Sequence, residues 1–181
     1  MTITSVTALP LRLPRDIGAA TGTAGSPTTL SENAGGYRWS SVYPSLYSTQ
    51  FETALVRVET SDGYIGWGEA QAPVAPEVAC AIVSHILAGA VTGQSFDGSP
   101  ARIAELWDLM YATMRVRGQT GGFMLDAISA IDIALWDIAG HLAGKPLCEL
   151  LNPKPKRVIP AYLSGIPRGE TDLQGFRQAK L

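Results

Sequence analysis

The sequence predicts an α+β fold in which a three-stranded antiparallel meander is followed by a bundle of helices. Three observations carry this expectation. Apolar residues alternate in the first third of the chain, an Asp62-Gly63 pair separates two alternating runs, and after Pro73 the apolar spacing widens to three and four. Strands grouped ahead of helices suit a sheet covered on one face, not the repeating units of a parallel sheet.

The first strand is read from Ile3, Val6, Ala8, Leu9, Leu11 and Leu13, a β-branched start that ends at Pro14. Residues Pro14 to Gln50 are rich in Gly, Ser, Thr and Pro without a sustained period, which predicts one long surface loop. Loops of that length in compact domains tend to be lids or binding loops, and Tyr37, Trp39, Tyr43 and Tyr47 give this one aromatic surface to close with; a plain insertion is the competing reading. The hairpin follows. Phe51, Ala54, Val56 and Val58 lead to Ser61-Asp62-Gly63, and Tyr64 to Ala70 returns; glycine supplies the positive φ that such a tight turn requires.

Three helices are predicted next. Ala79, Ile82, Val83, Ile86 and Leu87 mark the first, which stops at Gly89 and Gly93. Ile103, Leu106, Trp107, Met110 and Met114 mark the second, opened by Ser99-Pro100. The longest starts near Gly121-Gly122, runs through Met124, Ala127, Ile128, Ile131, Ala134, Leu135 and Ile138, and stops at Gly144 before Pro146. From Pro153 to Arg157 the composition turns to proline and lysine, a linker signature. Val158, Ile159, Ala161, Tyr162 and Leu163 then read as a new strand, and Thr171 to Arg177 as a helix start. One strand and part of a helix cannot close a sheet, so this last piece is expected to be incomplete, frayed or completed by another chain.

The bulk numbers exclude several classes. With 181 residues, 46% hydrophobic and 17% charged, the chain can bury a core. A net charge of -2 without a basic stripe gives nothing to neutralise phosphates, so nucleic acid is not an expected partner. No run approaches the roughly 20 apolar residues of a membrane span, and the N-terminus lacks the basic start and apolar run of a secretory signal. Cytoplasm is the expectation by elimination. Cys80 and Cys148 have no CxxC spacing and are expected to be buried structural thiols rather than a disulfide or zinc pair.

The segment from Ala127 to Leu151, AISAIDIALWDIAGHLAGKPLCELL, resembles the signature of the mandelate racemase/muconate lactonizing enzyme family of the enolase superfamily. Its physical logic is visible: Ala127, Ala130, Ala134, Ala139 and Gly140 permit close approach while Ile131, Leu135 and Ile138 fill the contact. The hairpin Asp62 to Ala70 and the segment Ile159 to Gly165 extend the likeness, the latter resembling the first strand of the family's barrel. His141 stands where the family usually has Lys, Arg or Gln, and Asn152 replaces a common glycine.

The resemblance implies an enolase-like N-terminal capping domain over residues 1–152. Residues 153–181 would then be a linker and the first strand and helix of an incomplete TIM-type barrel. It further implies a complete enzyme that uses Mg²⁺ to abstract the proton α to a carboxylate, in racemisation or dehydration of a substrate such as a sugar acid. The metal carboxylates and catalytic bases of that family lie on later barrel strands, so none is assigned before Leu181 and this chain alone is expected to be inactive. The substrate-facing role falls on Tyr37, Trp39, Gln71, Ala72, Tyr162 and Ser164. The missing barrel segment or a second chain would complete the enzyme, with a homo-oligomer expected. The competing readings are a stand-alone α+β binding or interaction module and one half of a split enzyme.

Individual polar residues read mostly as structural. Asp132 and Asp137 are five apart and project about 140° from each other on a helix, which opposes a shared metal. Asp137 and His141 are one turn apart and can interact. His85 has no second ligand at metal spacing, and Glu69 reads as a solvated strand end or an arginine partner.

Overall fold

The computed structural model describes residues 1–14, 36–40, 45–156 and 158–160. Its main sheet has three antiparallel strands in the order β1 (Ile3–Pro14), β4 (Gln50–Thr60), β5 (Ile65–Ala70). Val6 pairs with Val58 and Ala8 with Val56 across β1 and β4; Val56 pairs with Gly68 and Val58 with Gly66 across β4 and β5. The meander is therefore present, with its turn at Gly63 (φ 83°). The start of β1 is held on its other side by residues 93–96, through Ile3 N–H to the Gln94 carbonyl (3.0 Å) and Phe96 N–H to that of Met1 (2.9 Å).

The long irregular stretch needs correction. Within it, β2 (Tyr37–Ser40) and β3 (Ser45–Ser48) form a second, two-stranded sheet, with Tyr37 opposite Ser48 and Trp39 opposite Leu46. Each strand is only four residues long, too short to show a period in composition alone.

Helix α1 (Pro76–Ile82) passes into a π-helical turn, Val83–Leu87, and ends in α2 (Ala88–Val91), so the first predicted helix is present with a widened middle. Helix α3 (Pro100–Arg115) is capped as expected: the Ser99 hydroxyl accepts from Arg102 N–H at 3.2 Å with Pro100 in the first turn. Helix α4 (Phe123–Ala143) ends at Gly144, whose φ of 61° is the left-handed conformation that closes helices. A short α5 (Leu147–Leu151) follows, which the sequence reading did not anticipate.

The core lies between the sheet and the helices. Ile3, Val56 and Val58 face Leu87, Phe96, Ile103, Leu106, Met110, Ile128, Ile131, Leu135 and Ile138, all nearly inaccessible. Helix α4 lies directly on β5, and two glycines make this possible. An alanine Cβ at Gly68 would lie 1.9 Å from the Ala130 carbonyl oxygen, and one at Gly66 2.1 Å from that of Ala134. Cys80 is buried as expected, and burial pushes its thiol up; Cys148 is exposed on α5, contrary to expectation, because that short helix buries none of its residues. Residues 158–160 form no strand, and Val158 and Ile159 are exposed; the remainder of the expected barrel strand and helix lies outside the described residues. No helix among the described residues is long and apolar enough to cross a membrane.

Candidate functional site

Two concave surfaces stand out. The first is built where the β2–β3 hairpin meets the segment between β5 and α1. Its centre is Glu52, whose side chain is only 2% exposed. One carboxylate oxygen accepts from the Ser48 hydroxyl at 2.5 Å. The other accepts from the Tyr37 hydroxyl and from Ala75 N–H, each at 3.1 Å. The Ala75 N–H also reaches the Tyr37 oxygen at 3.0 Å. Arg12 stands 3.8 Å from Glu52 and forms an ion pair with Glu77; that guanidinium holds the Glu77 carboxyl below the usual carboxylate range. A small cavity of about 290 Å³ opens beside this cluster, between Leu46, Tyr47 and Phe51 on one side and Pro73 and Val74 on the other.

Ala75 itself has φ 53° and ψ 59°, the left-handed region that disfavours a residue with a Cβ. Its position immediately before α1 turns the chain sharply out of β5, and its N–H is aimed at Glu52. Strain of this kind persists where surrounding contacts hold it.

The residues expected to face substrate are distributed as follows. Tyr37 belongs to the cluster, and Gln71 is exposed on the adjoining segment. Trp39 sits in β2 at the register position opposite Leu46. Ala72 is corrected: at 1% exposure its methyl packs in the core and cannot meet a ligand. Tyr162 and Ser164 lie outside the described residues. Glu52 and Ser48 were missed, although Glu52 carried a signal. It shares the inward side of β4 with Ala54, Val56 and Val58, and a carboxylate at that register needs a buried partner.

The second surface is an open groove of about 740 Å³ between the edge of β5, the outer side of α4, and α5. Trp67, Ile133, Leu147 and Leu151 line it while remaining 44%, 46%, 46% and 62% exposed. Asp137 borders it and accepts from Trp67 N–H at 2.9 Å, satisfying an outward donor of the edge strand. The same carboxylate lies 3.5 Å from His141. The expected structural role of Asp137 is thereby observed, as is its contact with His141. His85 is exposed on the π-helical turn, and Glu69 is an exposed strand-end residue accepting from Thr53 (2.7 Å).

Asp132 has no hydrogen-bond or ion-pair partner among the described residues, and partial burial between Trp107, Trp136 and the groove pushes its carboxyl up. A folded value above the unfolded one favours folding below the unfolded value, and that contribution disappears as pH rises through the folded value. At neutral pH the ionised group therefore opposes folding. Asp132→Asn is expected to raise Tm near neutrality, with the gain vanishing in acid below the ordinary carboxylate range. Thermal melts of both proteins across pH check this; a gain that persists unchanged in acid contradicts it.

Among the described residues no three His, Cys, Asp or Glu side chains gather in a way that could hold a metal ion. These residues do not fit a Mg²⁺ site, and no chemical step is assigned through one.

Residues 45–152 match the sequence family described as mandelate racemase / muconate lactonizing enzyme, N-terminal domain. The chain is 37% identical over 111 residues to D-galactarolactone cycloisomerase of Agrobacterium fabrum, covering 61% of this chain and 27% of that protein. It is 45% identical over 101 residues to D-galactonate dehydratase of Xanthomonas campestris pv. campestris, covering 54% and 24%. The chain thus spans about a quarter of the length of these curated relatives. An enolase-superfamily structure from Agrobacterium tumefaciens superposes with a TM-score of 0.71 at 39% identity, over 83% of this chain and 37% of that one. A racemase from Streptomyces coelicolor A3(2) with bound magnesium gives 0.53 at 28% identity, over 78% and 32%.

Proposed function

Since the chain belongs to the mandelate racemase / muconate lactonizing enzyme family by its N-terminal domain, we propose that residues 1–152 are the substrate-enclosing cap of an enzyme acting on a sugar acid. Its relatives are dehydratases, cycloisomerases and racemases of the enolase superfamily. The single observation that carries the reading is the joint surface of the β2–β3 hairpin and the Gln71–Ala75 segment. It brings Tyr37 against that segment and leaves Gln71 open.

In the complete enzyme a barrel supplies the Mg²⁺ ligands and the acid and base groups. The cap binds and orients a small polar carboxylate and excludes water from it, which strengthens every electrostatic contact inside. The broad groove beside Trp67 and α5 is the surface on which that barrel would seat, since exposed apolar side chains of this extent mark interfaces. Residues 153–181 would then be the linker and opening of the barrel, and Tyr162 and Ser164 would join the site from its first strand.

A cap exchange tests the proposal. Residues 1–152 replace the corresponding domain of the A. fabrum cycloisomerase, and turnover is measured on galactarolactone and on a panel of sugar acids. The expected outcome is an altered order of preference among substrates in an enzyme that still turns over.

A further inference from the structure

We infer that Glu52 is a positioning residue that couples the hairpin β2–β3 to the turn at Ala75, so that Tyr37 and the Gln71–Ala75 segment hold one arrangement. This rests on the reading of that surface as substrate-facing. The coupling itself rests only on geometry.

Each half of the surface is weak alone. The hairpin consists of two four-residue strands, and isolated two-stranded ribbons are marginal in water. The turn contains a left-handed alanine, which relaxes when nothing holds it. Glu52 addresses both through two oxygens. One binds Ser48 at the end of β3; the other is shared by Tyr37 at the start of β2 and by the backbone of Ala75. Ser48 Oγ also accepts from Gln50 N–H at 3.0 Å, which fixes the hydroxyl that donates to Glu52. A carboxylate buried to 2% exposure and surrounded by donors from three segments is costly to separate from any of them. Opening the hairpin therefore frees the turn, and relaxing the turn frees the hairpin.

Amide hydrogen exchange on the 181-residue chain tests the inference. Glu52→Ala should accelerate exchange by at least about tenfold both at 37–40 and 45–48 and at 71–75, while α4 amides at 127–139 stay at the parent rate. Glu52→Gln should restore most of the protection, because its amide oxygen can keep accepting from Ala75 N–H and the Tyr37 hydroxyl while its NH₂ donates to the Ser48 oxygen. Opening of one segment without the other, equal acceleration in α4, or no acceleration in either segment would overturn the coupling. If Glu52→Ala does not fold, Tyr37→Phe, which removes one donor and leaves the carboxylate paired, should show the same two-segment pattern more weakly. In the cap-exchange enzyme, Glu52→Ala should raise KM several-fold, roughly as loss of ground-state positioning does, with kcat held. Unchanged KM alongside a positive exchange result removes the substrate-facing reading and leaves the coupling standing.

Discussion

Gly68→Ala is expected to destabilise the domain by about 3 kcal/mol or more, at the upper end of what overpacking a core produces. The added methyl would meet the Ala130 carbonyl oxygen at 1.9 Å and the Ala134 nitrogen at 2.8 Å. Both are backbone atoms of a 21-residue helix, so no rotamer change relieves the clash. Either α4 lifts from β5, opening the Ile131 and Leu135 contacts, or β5 leaves the sheet. Denaturant unfolding followed by circular dichroism reads the loss directly. Gly89→Ala is the matched control: its position on α2 is open, with nothing within 4 Å of an added methyl. There the helix gains about 0.5–1 kcal/mol from the better helix former. Equal effects at both positions would contradict the packing argument.

Leu135→Ala is expected to cost about 2–5 kcal/mol, through lost transfer energy and the cavity left beneath the sheet. Leu135 is fully inaccessible on the inner side of α4. Two residues earlier, Ile133 is 46% exposed in the groove, and Ile133→Ala should change stability far less, within about 0.5 kcal/mol. Equilibrium unfolding of the two variants in the same denaturant separates them. A large loss at Ile133 would mean that the groove is already covered within this chain.

The contrast between these two helix positions shows what was legible in the sequence. The inward stripe Ala127, Ile128, Ile131, Ala134, Leu135 and Ile138 has helical spacing and is buried throughout. The strands β1, β4 and β5 follow from alternation and from Asp62-Gly63, and the predicted meander pairs in that order. The Gly66-Trp67-Gly68 pattern is visible in the sequence as well, but its reason is not. The requirement for two glycines arises from the closeness of α4, whose contact atoms lie more than 60 positions away along the chain. The β2–β3 hairpin escaped notice because four-residue strands in a Ser- and Gly-rich context carry no period. Helix α5 escaped because Pro146 reads as a stop, although proline before a first turn also starts helices.

The candidate site was legible only in part. Tyr37 and Gln71 were assigned from the family resemblance, and the structure places Tyr37 in the Glu52 cluster and leaves Gln71 exposed beside it. Ala72 is turned inward by the same alternation that buries Ala70. Glu52, the residue that organises the site, does not stand out in the sequence, because a charge within a strand ordinarily faces solvent. Its register on β4 said otherwise.

The central claim is that this domain selects a substrate whose chemistry is performed by a barrel. The most direct measurement is the ratio of kcat/KM for galactarolactone to that for a competing sugar acid, in the cap-exchanged cycloisomerase and in its parent. The expected result is a shifted ratio in the exchanged enzyme. An active exchanged enzyme with the parental ratio would contradict it.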